Sequence, residues 1–131
     1  MATTEESKKR LRVLLAHCDQ DAHDRGVRYI AEVLQEGGME VIFIRYRVCE
    51  EVVRVAVQED VDAVGLSFYS SGYSHDIPAV LESLKEKEKD VKLLVGGIIP
   101  SDEIDGLLAL GVSGIFGPNS RRDEVLECLA S

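Results

Sequence analysis

Asp21 and His23 stand two residues apart in the polar run His17-Cys18-Asp19-Gln20-Asp21-Ala22-His23-Asp24-Arg25-Gly26. A carboxylate that accepts Nδ1–H fixes an imidazole tautomer and leaves Nε2 free as a basic metal ligand. A bend in the loop would bring the two side chains together. The same spacing also describes a solvated histidine beside an acid. His17 and Cys18 complete no standard zinc or iron ligand spacing with them, so no independent metal site is expected there. Three other segments combine glycine with hydroxyl groups: Ser67-Phe68-Tyr69-Ser70-Ser71-Gly72-Tyr73-Ser74-His75, Gly96-Gly97-Ile98-Ile99-Pro100 and Gly117-Pro118-Asn119-Ser120. Glycines let a ligand lie against backbone, and hydroxyls can orient it.

These segments fall between regular elements. Short apolar or β-branched runs at residues 11–16, 39–46, 61–68, 91–95 and 112–116 read as strands. Between them lie helical patterns. Val27, Ile30, Ala31 and Leu34 share one helix face, which Gly37-Gly38 ends. Residues 50–59 follow, and then a helix over 77–87 with Pro78 in its first turn. Ser101-Asp102-Glu103 opens a fourth helix with an N-cap signature, and residues 122–129 form the last. His17 to Gly26 and residues 69–76 read as loop. Strict alternation calls for a doubly wound parallel sheet with helices on both faces, of the flavodoxin-like α/β class with strand order 2-1-3-4-5. In that order the loops after strands 1 and 3 flank the crevice where ligands bind. Residues 1–10 are expected to form a flexible arm before a domain over 11–131.

Composition narrows the function. The chain has 131 residues and a net charge of −9, which argues against a broad phosphate-binding face and so against nucleic acid. Its length suits one domain and excludes a large catalytic barrel. No apolar run approaches a membrane span, and the charged N-terminus has no secretory h-region. The three cysteines, Cys18, Cys49 and Cys128, are widely spaced and read as reduced thiols in a cytoplasm. Taken singly, Cys49 and Cys128 read as packing residues and His75 as a surface or rim residue.

Asp21-Ala22-His23-Asp24-Arg25-Gly26 resembles the D-x-H-x-x-G motif of cobalamin-binding domains. Ser67-Phe68-Tyr69 stands where that family has S-x-L, and Gly96-Gly97 where it has a G-G pair. The wording of His23-Asp24-Arg25-Gly26, Gln58-Glu59-Asp60-Val61-Asp62, Val95-Gly96-Gly97-Ile98-Ile99-Pro100 and Ile115-Phe116-Gly117-Pro118 is similar to the cobalamin domain or small subunit of methylmalonyl-CoA mutase and related acyl-CoA mutases. The likeness runs from about Leu11 to Leu129. It implies adenosylcobalamin bound with its own base displaced, His23 on cobalt and Asp21 holding His23. It implies tail or ring contacts from Asp24, Arg25, Gly26, Ser67, Tyr69, Ser71, Gly96, Gly97, Gly117 and Ser120. In the mutases, homolysis of the cobalt–carbon bond starts a carbon-skeleton rearrangement, and a separate (β/α) barrel holds the acyl-CoA. The resemblance therefore implies a large partner subunit, with no catalytic residue on this chain beyond the axial ligand. It leaves self-association open. Ala22 replaces the usual Gly of D-G-H, and Tyr69 the Leu of S-x-L; both bear on the size of the tail pocket.

Rival readings meet specific obstacles. A corrinoid methyl carrier shares D-x-H-x-x-G but adds a helical cap before strand 1, where only ten residues stand here. A diverged member that no longer binds cobalamin would keep the fold. A phospho-receiver domain needs Asp after strand 3 and Lys after strand 4, where this chain has Ser67-Phe68 and Gly96-Gly97. A flavin carrier would want Ser, Thr and Gly in the first loop, which is acidic.

Overall fold

The computed structural model describes residues 10–18, 25–68, 73–117 and 120–130. The elements among them are β1 (Arg12–Cys18), α1 (Arg25–Glu36), β2 (Glu40–Tyr46), α2 (Cys49–Gln58), β3 (Ala63–Phe68), α3 (Tyr73–Glu86), β4 (Lys92–Gly97), α4 (Ser101–Leu110), β5 (Gly114–Phe116) and α5 (Arg122–Ala130). The strands are all parallel and lie in the order β2-β1-β3-β4-β5, as the alternation requires.

Side-chain alternation along each strand splits the core in two. Leu14, Val64, Leu66 and Val95 face α2, α3 and α4, where Val52, Ala56, Ile77, Val80 and Leu107 meet them. Val13, Leu15, Ala63 and Leu94 face α1 and α5, where Val27, Leu34, Val125 and Leu129 meet them. A fully buried Leu or Val contributes about 1.5–3 kcal/mol of transfer free energy, so both layers are needed. Arg122 reaches Glu36 at 2.8 Å and ties α5 to α1. Lys92 donates to the carbonyl oxygens of Cys128 at 2.7 Å and Leu129 at 3.3 Å, at the C-terminal end of α5.

Boundaries near the site differ from the sequence reading: α1 begins at Arg25, so Arg25 and Gly26 are helical and not loop. β1 continues through His17 and Cys18, because both pair onward, with Arg45 and Tyr46 of β2. β4 includes Gly96 and Gly97, which pair with Ser67 and Phe68. α3 begins at Tyr73 rather than Ile77, so His75 and Asp76 sit in its first turn. Burial of Tyr73, edge-on to Phe68 with ring centroids 6.3 Å apart, anchors that earlier start. Pro78 consequently lies inside the helix. At α4 the cap is Pro100 with no side-chain bond, not Ser101, and the helix closes on left-handed Gly111. Among the described residues no helix is long and apolar enough to cross a membrane.

Candidate functional site

The carboxyl ends of β3, β4 and β5 open onto a cavity of about 370 Å³ on the α1–α5 side of the sheet, to which β1 contributes Val13 and Leu15. Its floor is Val13, Leu15, Gly65 and Leu94; Val27 and Ile30 of α1 and Val125 and Leu129 of α5 form its walls. No charged side chain lines it among the described residues. Ser67 and Ser120 supply hydroxyls, and half-exposed Tyr29 and Ile98 stand at the rim. A volume in the low hundreds of Å³ with a few polar groups among apolar ones is typical of small-molecule sites.

Glycines make the opening. Gly97 has φ +139°, a region that L side chains rarely adopt, and a Cβ there would fall 1.9 Å from the Phe68 carbonyl oxygen. The carboxyl ends of β3 and β4 therefore close together only with glycine at this rung. Gly26, Gly96 and Gly117 also line the cavity, and at each an added methyl meets no atom of the described residues closer than 3.8 Å. These backbones are open to an approaching group. On the floor, a Cβ at Gly65 would stand 2.7 Å from Cδ2 of Leu15, so the missing side chain is what lets Leu15 settle there.

His17 is the buried polar side chain beside this crevice. It is fully buried, and its Nδ1 lies 3.2 Å from Oγ of Ser67. The two residues are register partners between β1 and β3, at the switch point of the sheet. Ser67 thus reaches the cavity with its hydroxyl already engaged from behind.

The structure gathers Gly26, Ser67, Gly96, Gly97, Gly117 and Ser120 around one cavity. Arg25 opens α1 and is exposed, outside the cavity lining. Asp21, His23, Asp24, Tyr69 and Ser71 lie outside the described residues. Sequence reading missed Gly65, His17 and the apolar walls. A glycine inside a largely apolar strand was a signal for close approach at Gly65. The period-2 continuation of Val13 and Leu15 was one for His17.

Residues 11–126 match the family described as B12 binding domain. The chain is 39% identical over 123 residues to the pivalyl-CoA mutase small subunit of Xanthobacter autotrophicus, covering 92% of this chain and 82% of that one. It is 34% identical over 123 residues to the 2-hydroxyisobutanoyl-CoA mutase small subunit of Aquincola tertiaricarbonis, covering 92% and 90%. A cobalamin-binding protein from Desulfitobacterium hafniense superposes with a TM-score of 0.77 at 22% identity, over 93% of this chain and 59% of that one, a likeness of fold. The match over nearly the whole chain, on a sheet whose glycine-rimmed crevice lies at the β1/β3 switch point, makes this chain a member of the B12-binding domain family.

Proposed function

We propose that the chain binds cobalamin with its lower base displaced, places His23 on the cobalt, and serves as the small subunit of an adenosylcobalamin-dependent acyl-CoA mutase. The cavity behind Gly96, Gly97 and Gly117, lined by no charged side chain among the described residues, carries this reading. An extended nucleotide tail has an apolar ring to bury and polar atoms to satisfy. The apolar floor, the side-chain-free rim and the hydroxyls of Ser67 and Ser120 suit those two demands.

In this reading Val13, Leu15 and Ile30 shelter the ring of the tail from water, and the Ser67 and Ser120 hydroxyls orient its polar part. His17 holds Ser67 in place through its Nδ1 contact. The loop carrying Asp21, His23 and Asp24 leads directly into α1, whose residues wall the cavity, so a filled cavity and a seated axial histidine favour one another. Asp21 accepts Nδ1–H of His23 and keeps Nε2 available. Tyr69 and Ser71, on the loop after β3, complete the contacts. Bound adenosylcobalamin supplies the cobalt–carbon bond whose cleavage starts the rearrangement. The chain offers no acyl-CoA chamber of its own among the described residues, and the names of its relatives as small subunits support a larger partner that provides one.

Visible spectra of the purified protein with adenosylcobalamin and with hydroxocobalamin, beside His23→Ala, test this directly. A base-off, histidine-ligated spectrum in the wild type and its loss in His23→Ala is the expected result. Cobalamin that stays base-on, or an unchanged spectrum in the variant, overturns the axial assignment. The partner is tested separately: the loaded chain alone should leave branched acyl-CoA thioesters unchanged, and turnover without a second subunit refutes the small-subunit role.

A further inference from the structure

A second group of reactive side chains lies on the other side of the sheet. Cys49 opens α2, His75 and Asp76 lie in the first turn of α3, and Tyr46 ends β2. One ligand atom each from Cys49, His75 and Asp76 lies within 4.8 Å of the others. The carboxylate of Asp76 is divided between two tasks. Its Oδ2 accepts from the Tyr46 hydroxyl at 2.7 Å. Its Oδ1 meets Sγ of Cys49 at 3.3 Å and Nδ1 of His75 at 3.0 Å.

We propose that Cys49, His75 and Asp76 form a divalent-cation site of the zinc class, separate from the cobalamin site. Sulfur, imidazole nitrogen and carboxylate oxygen converge on one point, and this mixed set suits a borderline-soft ion such as Zn²⁺. The ion takes the place of the protons that now join Cys49 and His75 to Oδ1. Zn²⁺ bonds of about 2.0–2.3 Å in a tetrahedron set ligand atoms roughly 3.3–3.7 Å from one another; the two distances to Oδ1, 3.3 and 3.0 Å, are near this range, and Cys49 and His75 stand within 4.8 Å of each other. Tyr46 is 1% exposed, so its hydroxyl fixes the carboxylate from the buried side. Metal-binding carboxylates are commonly steadied by such an outer hydrogen bond. The His75 side chain is 83% exposed, which leaves a solvent route for the ion and a fourth position for water. Bound there, the ion pins the start of α2 to the start of α3. The inference uses none of the residues assigned to cobalamin and stands or falls apart from that reading.

The test is titration of cobalamin-free protein with Zn²⁺ in competition with a chromophoric chelator, and with Co²⁺ to read thiolate-to-cobalt absorption in the near ultraviolet. One equivalent should bind. Cys49→Ser should abolish the thiolate absorption, and His75→Ala and Asp76→Asn should each weaken Zn²⁺ by at least about tenfold. His23→Ala should bind as the wild type does. Because His75 is a surface side chain, His75→Ala keeps the fold, which circular dichroism verifies. The proposal is overturned if no Zn²⁺ binds, if His75→Ala and Cys49→Ser match the wild type, or if only His23→Ala loses the ion.

Discussion

A Cβ on Gly97 would stand 1.9 Å from the carbonyl oxygen of Phe68, its register partner across β3 and β4. Neither backbone can retreat without breaking the ladder that closes the crevice. Gly97→Ala should therefore destabilise the protein by at least about 3 kcal/mol, combining a clash with a disfavoured φ. Gly96→Ala is the contrast, since its nearest neighbour is the Phe116 carbonyl oxygen at 3.8 Å, an ordinary contact. Urea unfolding should show Gly96→Ala within about 1 kcal/mol of the wild type while its cobalamin binding weakens. Equal stability losses in the two variants would show that the Gly97 approach is not what the fold depends on.

His17 and Ser67 form a pair in which loss of either partner is felt at the switch point. His17→Leu keeps most of the buried volume but leaves the Ser67 hydroxyl without its 3.2 Å partner. Ser67 is half-buried at the cavity, so water replaces part of what is lost, and the cost is that of an ordinary hydrogen bond, about 0.5–1.5 kcal/mol. Thermal unfolding should register that loss, and Ser67→Ala in the same background should recover part of it, because the orphaned hydroxyl is then gone. If the two changes are simply additive, the contact contributes nothing to stability.

The cluster around Asp76 contributes to the pH dependence of stability at both ends when a chelator keeps cations away. Burial pushes the Asp76 carboxyl up, but the bonds from His75, Tyr46 and Cys49 outweigh it and hold it below the ordinary aspartate range. A carboxyl lowered on folding adds stability that is complete above its unfolded value, near 4, and is lost as the pH falls through the folded one. Burial, and then the Asp76 carboxylate, push the Cys49 thiol from 9.0 up to about 12. A thiol raised on folding has the opposite sign, so stability is intact below pH 9 and declines between 9 and about 12. Urea midpoints measured across this range should fall at both ends. In Asp76→Asn the acid decline should shrink, and in Cys49→Ser the alkaline one. A wild-type profile unchanged by both substitutions would disprove the linkage.

The alternation of five apolar runs with amphipathic stretches was enough to specify the parallel sheet and its order, because each pattern repeats over several residues. The glycine-rich rim was legible for the same reason: Gly96-Gly97 and Gly117 are adjacent to strands whose ends the topology places together. What the sequence concealed was assembly across elements. Tyr46 and Cys49 lie 30 and 27 residues before Asp76, and only the parallel pairing of β2, the start of α2 and the early start of α3 join them. Read singly, Cys49 is a packing residue and His75 a surface one. The early start of α3 was missed because the Ser/Gly/Tyr loop before it masks the buried Tyr73 anchor, and Pro78 imitates a first-turn proline.

Gly26 separates stability from binding most cleanly. It is the second residue of α1, has no positive φ, and among the described residues an added methyl would meet nothing within 4 Å. Alanine at such a position loses less backbone entropy on folding, so Gly26→Ala should stabilise the cobalamin-free protein by about 0.5–1 kcal/mol. The same position lines the cavity, beside the loop proposed to present His23. A ligand that needs the bare backbone there should bind less well, at least about tenfold if a methyl's displacement costs 1.4 kcal/mol. Urea unfolding and spectral titration with hydroxocobalamin measure the two effects independently. A variant that gains stability and keeps full cobalamin affinity would remove Gly26 from the proposed site, whereas a variant that loses stability would mean that α1 does not start as described.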